Sequence, residues 1–372
     1  MKWSWKIARV AGIDVFMHST FLLLVAWIAI SSWLGTQSVP AVISAVLFLL
    51  ALFFSVVLHE YGHALTARRF GIQTRDITLL PIGGVARLER MPEKPIQELW
   101  VALMGPAVNV VIVIVLSLIL LVTGQFNPAN LLDISSNAGF LNRMIAVNIS
   151  LALFNLLPAF PMDGGRVLRA LLATRMEYTR ATSLAASIGQ GLALLLGFFG
   201  LFNNPFLLFI AFFVWIGAAQ EASMVQMKSA LSGIPVSRAM LTDFRYLAPT
   251  DPLSNAVNYI LTGTQQDFPV VAEGKVVGIL TRDDVIRALA EHNESTFVSY
   301  IMRKDFQVID SSQMLEGAAQ VIQTSTADSG SQGILPVVHN GALVGLLTME
   351  NIGEFLMIQR ALRARQATRT AN

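Results

Sequence analysis

Residues 56–65 read VVLHEYGHAL. His59 and His63 stand four apart, so a helix through them puts both imidazoles on one face with Glu60 beside them. Two neutral imidazoles so placed bind a divalent metal such as zinc, and the neighbouring carboxylate can serve as a general base toward water. A catalytic zinc takes a third protein ligand and keeps a fourth position open. The chain has no cysteine, which excludes thiolate sites, thiol nucleophiles and a disulfide framework together, so the third ligand must be a histidine or a carboxylate. Asp163, in FNLLPAFPMDGGR, is the candidate. It ends one apolar run just before Arg166 and Arg169, as the histidine pair ends another just before Arg68 and Arg69. Both motifs therefore lie at the same end of their runs, where an ionisable group marks a functional site.

The elements that carry these residues are apolar enough to cross a membrane. The 372 residues are 54% hydrophobic and 13% charged, with a mean hydropathy of +0.60, against about 25% charged in an ordinary soluble domain. Stretches of about 20 residues, the length of one bilayer crossing, run from Phe16 to Leu34, Val39 to Leu58, Leu99 to Val122 and Met144 to Met162. A longer stretch, Ala181 to Gln220, is split by the turn signal at Asn203 to Pro205 into two more crossings. The expectation is a multi-pass α-helical membrane protein of about six spans. Lys and Arg gather before the first span (Lys2, Lys6, Arg9), after the second (Arg68 to Lys94) and after the fourth (Arg166 to Arg180), and the intervening loops have none. That asymmetry predicts a plasma or inner membrane protein with both termini cytoplasmic. No small-residue cleavage site follows the first apolar run, so no cleaved leader is expected.

Within this frame Pro158 and Pro161 must unwind the end of the fourth span, leaving backbone that is tolerated only beside protein or a water-filled cavity. That cavity gives water a route to the metal from the cytoplasmic side. Between the second and third spans ITLLPIGGVARLER alternates and holds Gly83 and Gly84, reading as a short β-hairpin near the site.

From Lys228 the composition turns mixed and charged, and it repeats: VSRAMLTDF at 236–244 matches VSYIMRKDF at 298–306, and FPVVAEGKVVGILTRDDVIRAL at 268–289 matches LPVVHNGALVGLLTMENIGEFL at 335–356. Each copy reads helix, strand, glycine turn, strand and closing helix. The pair resembles tandem CBS domains, α/β modules that bind adenine nucleotides in the cleft between copies. In that family a Thr and an Asp three residues later hold the ribose. Thr281 and Asp284 fill those places in the first copy, and Thr348 and Asn351 in the second, where the amide is a weaker partner than a carboxylate. The resemblance implies ATP, ADP or AMP as ligand and allows a homodimer through the modules, or a purely stabilising role. The expected organisation is a transmembrane domain at 1–227, CBS copies at 228–291 and 292–358, and a basic, solvated tail at 359–372.

HEYGH, GPAVN and NLLPAFPMDGG together resemble the site-2 protease family of intramembrane zinc metalloproteases, in its bacterial and archaeal branch with CBS domains. The resemblance implies zinc held by His59, His63 and Asp163, with Glu60 as base, and hydrolysis of a peptide bond in or near a transmembrane helix of another protein in the bilayer. It implies that Asn155 stabilises the oxyanion or clamps the substrate backbone; an interhelical hydrogen bond is the alternative. Asn109 handles substrate or ties helices together, and the hairpin edge at Gly83 and Gly84 pairs with an unwound substrate. His18 reads as a hydrogen-bonding core residue or as an auxiliary ligand. No nucleic-acid partner is expected. Two readings of other classes stay open: a CBS-regulated transporter, disfavoured by the absence of further intramembrane charges, and a catalytically silent binder of membrane partners, disfavoured by the presence of Glu60 and all three ligands.

Overall fold

The computed structural model describes residues 3–81, 83–89, 92, 94–132, 139–291, 294–329 and 333–370. The side chains at 130, 323–332, 360 and beyond 362 lie outside that description, as do Lys2, Arg90 and the start of the second CBS copy expected at 292. The chain divides into two compact units, residues 1–226 and 227–372.

The first unit opens with strands β1 (Ser4–Val10) and β2 (Ile13–His18), followed by helices α1 (Ser19–Thr36) and α2 (Val39–Arg69). The span expected from Phe16 therefore begins three residues later, because Phe16, Met17 and His18 pair with Lys6, Trp5 and Ser4 in an antiparallel hairpin. The His18 ring caps α1, accepting from the Thr20 backbone N–H, which is a structural use of that residue. After α2 come strands β3 (Thr74–Leu80) and β4 (Gly83–Leu88). The expected hairpin is thus half of a four-stranded sheet in the order β1-β2-β3-β4, with β2 and β3 parallel and β4 at the edge. One face packs on α2, with Ile13, Val15 and Ile77 against Tyr61 and Ala64, and the Tyr61 hydroxyl donates to the Val10 carbonyl at 3.1 Å.

Helix α3 (Pro95–Val122) begins with proline at its first position, where the missing N–H costs no helical bond. Then follow a short 3-10 turn at Pro128–Asn130 and helices α4 (Phe140–Asn155), α5 (Asp163–Ala173), α6 (Tyr178–Phe202) and α7 (Phe206–Leu231). Among the described residues five helices, α1, α2, α3, α6 and α7, are long and apolar enough to cross a membrane. Their flanks expose Leu23, Trp27, Leu34, Val122, Phe202 and Phe209, each at least 67%, surface that lipid rather than water suits. The fourth expected span, Met144 to Met162, is shorter than read: α4 stops at Asn155 after 16 residues, about 24 Å, and the chain crosses to α5 through irregular backbone containing both prolines. Asn203–Pro205 separates α6 from α7, as its turn signal predicts.

The second unit carries the repeat. Its first copy holds α8 (Leu253–Thr262), β5 (Phe268–Ala272), β6 (Lys275–Leu280) and α9 (Arg282–Glu291), and a short α10 (Val298–Ile301) joins it to the second. There β7 (Ile309–Asp310), α11 (Leu315–Ser329), β8 (Leu335–His339), β9 (Ala342–Leu347) and α12 (Met349–Thr370) follow. Equivalent residues pair in the same register, Phe268 with Leu280 and Leu335 with Leu347. The basic tail is not irregular: α12 continues through it to Thr370.

Candidate metal centre

Helix α2 carries both histidines because its 3.6-residue period stacks positions 59 and 63, and α5 begins at Asp163. The two elements meet. Asp163 Oδ2 lies 3.1 Å from His59 Nε2 and 3.1 Å from His63 Nε2, and the two nitrogens are 3.1 Å apart. All three residues are buried, at 5–7% exposure.

Proton positions follow from the surrounding groups. His63 Nδ1 is 2.7 Å from the Val101 carbonyl, which only accepts, so Nδ1 carries the hydrogen. Asn148 Nδ2 donates to the Met144 carbonyl, which leaves Asn148 Oδ1 to accept from Asn109 Nδ2 at 2.9 Å. Asn109 Oδ1 is then the atom 2.6 Å from His59 Nδ1, and that nitrogen too is a donor. With both rings neutral, Nε2 of each therefore aims a lone pair at the Asp163 carboxylate oxygen. Three acceptors so placed form a group that could hold a metal ion. Their spacing matches a tetrahedral zinc, whose bonds of about 2.0 Å put ligands about 3.3 Å apart.

Helix α3 makes this possible by coming close. A Cβ at Gly105 would collide with both Nε2 atoms, and one at Gly62 with the Met104 carbonyl. Gly164 and Gly165 do the same for α5, whose backbone lies against Leu156–Phe160. Asn109, read as handling substrate or tying helices together, is fully buried, with its amide engaged by His59 and Asn148.

Glu60 points to the sheet. Its Oε2 accepts from the Ala86 N–H at 3.1 Å, and a Cβ at Gly84 would approach its Cγ to 3.0 Å. Ala86 sits opposite Ile77 in the ladder yet sends its N–H to Glu60, so the free edge of β4 faces the site. Asn155 donates from Nδ2 to the Leu151 carbonyl at 3.0 Å, closing α4. Residues the sequence did not single out also matter: Val101 orients His63, and Asn148 holds the Asn109 amide that orients His59. Glu98, three residues before Val101, is buried in a span and was the available signal.

In the second unit a cleft of 1320 Å³ is lined by Thr281, Thr348 and Asn351, with Asp243, Asp267, Asp283, Glu350 and Glu354 around them. Asp284, expected as a ribose contact, is not among those lining residues. Its carboxylate takes hydrogen bonds from Arg303 Nε (2.7 Å), Arg303 Nη2 (2.9 Å) and Thr281 Oγ1 (2.6 Å). Burial alone would raise this carboxyl, but those donors outweigh it and hold it below its ordinary range. Thr348 Oγ1 lies 2.7 Å from Asn351 Oδ1.

Residues 47–138 and 126–196 match Peptidase family M50, and residues 236–291 and 298–357 match the CBS domain. Zinc metalloprotease MJ0392 of Methanocaldococcus jannaschii is 33% identical over 353 residues, covering 95% of this chain and 96% of its own. The protein sll0528 of Synechocystis, named for the same class of activity, is 26% identical over 96% of each chain. A solved site-2 protease from Methanocaldococcus jannaschii is 38% identical, covering 59% of this chain and 95% of that one, with a TM-score of 0.43. The chain belongs to peptidase family M50, the site-2 protease family. It is a membrane zinc metalloprotease with a pair of CBS domains.

Proposed function

We propose that this protein hydrolyses peptide bonds in or near transmembrane helices of other membrane proteins, with His59, His63 and Asp163 holding zinc. The observation that carries the reading is the convergence of His59 Nε2, His63 Nε2 and Asp163 Oδ2 beside Glu60, itself in contact with a strand edge. Bound there, zinc would supply Lewis acidity, making a water acidic near neutral pH and polarising a carbonyl. Glu60 takes the proton from that water on a carboxylate oxygen and delivers it to the leaving amide nitrogen.

A helix hides its carbonyls in its own hydrogen bonds, so the substrate must unwind. The outer edge of β4, at Gly83 to Ala86, offers backbone partners to the unwound segment. Asn155, at the end of α4, clamps substrate backbone or the developing oxyanion. The charge asymmetry of the loops supports cytoplasmic termini, with the 1–227 and 228–358 domains on that plan. The second-unit cleft is read as an adenine-nucleotide site that modulates cleavage, with Thr348 and Asn351 as ribose contacts.

The test is zinc content and cleavage of a transmembrane substrate by purified wild type and Glu60→Gln. About one zinc in each, with cleavage by the wild type alone and its loss to a chelator, is expected. Absence of zinc from the wild type, or equal cleavage by the variant, overturns the reading.

A further inference from the structure

Between Asn155 and Asp163 the chain has no regular secondary structure, yet it sets where the third ligand stands. Irregular backbone beside membrane spans persists only where protein covers it, and α7 supplies much of that cover. Val214 packs with Ala159 and Met162, and Ala218 with Phe160. Gly217 lies so close to Pro161 that a Cβ there would come within 2.6 Å of its ring. These residues and Glu221 recur at helical spacing, one stripe along α7.

Glu221 ends the stripe with a charge. It accepts from Arg169 Nη1, while Nε and Nη2 of the same guanidinium bind Glu98 Oε1 on α3. Arg169 has no exposed surface, and its Cζ lies 5.0 Å from the ring centres of both Phe160 and Tyr178. The guanidinium is thus clamped between carboxylates of two helices with Phe160 of the ligand segment stacked on it. Arg169 also stands six residues along the helix that Asp163 begins.

We infer that Glu221 is a positioning residue for the metal site: through Arg169 and Phe160 it fixes the 156–162 segment and so the place of Asp163. This rests on reading His59, His63 and Asp163 as zinc ligands. Arg169 and Glu98 are poor targets for testing it, since removing either leaves uncompensated buried charge. Glu221 is better, its side chain being 27% exposed.

The experiment compares wild type, Glu221→Ala and Glu221→Gln in detergent. It measures the rate of zinc loss to an excess of chelator, kcat and KM, and the melting temperature of the zinc-free protein. Expected for E221A is zinc loss faster by about 10-fold, the low end for supporting-residue changes at metal sites. A comparable fall in kcat with little change in KM should accompany it, and E221Q, which keeps a hydrogen-bond acceptor for Arg169, should recover most of both. Zinc loss and kcat unchanged in E221A overturn the inference, as does a variant whose only change is a lower zinc-free melting temperature. A wild type that holds no zinc instead fails the ligand assignment itself.

Discussion

Asn109 acts on the metal position without reaching it. Its Oδ1 accepts from His59 Nδ1 at 2.6 Å, which keeps the Nε2 lone pair facing Asp163, and its own Nδ2 is tied to Asn148. Removing the amide frees the His59 tautomer and leaves Asn148 Oδ1 buried without its donor, at a cost of about 1–3 kcal/mol. Asn109→Ala should therefore weaken zinc binding by about 10- to 100-fold, whereas Asn109→Asp, which still accepts from Nδ1, should lose less. Chelator competition on the two variants decides it, and wild-type zinc affinity in Asn109→Ala would remove the residue from the site. The three proposed ligands and Glu60 are legible in the sequence because their chemistry is local: HExxH fixes a face, and Asp163 is marked by its position at a span end. Asn109 was legible as polar and intramembrane, but its partner lies 50 residues away, and nothing in GPAVN says whether the amide faces a ring or an open groove.

Helix α3 supports the site along a single stripe. Glu98 holds Arg169, Val101 orients His63, Gly105 admits the two rings and Asn109 orients His59, at spacings of three, four and four that keep one face toward α2 and α5. The sheet supplies the opposite wall. Ala86 sends its N–H outward to Glu60 rather than into the ladder, so proline fits this edge position without breaking a β3–β4 bond. Ala86→Pro should leave zinc content unchanged and lower kcat/KM for a transmembrane substrate by about 10-fold, in line with loss of one backbone hydrogen bond of about 1–1.5 kcal/mol. Full activity in that variant would show that the Ala86–Glu60 hydrogen bond is not needed to hold the base. Only half of this sheet was readable beforehand. The first hairpin turns at Ala11 and Gly12, both at positive φ (50° and 82°), and alanine is not the residue that signals such a turn. Phe16 and Met17, apolar because they join a sheet, looked like the start of α1. The shortened α4 follows from Pro158, which the sequence does display, while the ion cluster of Glu98, Arg169 and Glu221 joins positions 52 and 71 residues apart that composition reads as ordinary span flanks.

At the scale of the whole chain, the second unit builds a core from Leu231, Val236, Leu335 and Leu347, with Met227 packed against it. A nucleotide held by that unit would enter the cleft lined by Thr281, Thr348 and Asn351. Which side chains such a ligand meets is set by charge. The cleft carries five carboxylates against the guanidinium of Arg282, so a nucleotide polyphosphate enters it at an electrostatic disadvantage that a divalent cation relieves. Calorimetric affinity for ATP, ADP and AMP should accordingly rise with Mg²⁺, most for ATP, and Asn351→Ala should weaken it about 10-fold. Asp284→Asn should act differently, lowering the stability of the second unit by about 1–2 kcal/mol near neutral pH, a figure kept low because Arg303 is 30% exposed and water screens the pair. Because the Asp284 carboxyl titrates lower in the folded protein than its ordinary 3.8, its contribution is complete above that value and disappears as pH falls through the folded pKa. The stability difference between wild type and Asp284→Asn, followed by hydrogen exchange in the second unit, should thus close on acidification below about pH 4. A difference that persisted there would assign the residue another role, and a nucleotide affinity that fell with Asp284→Asn but not with Asn351→Ala would move the ligand to the first copy of the repeat.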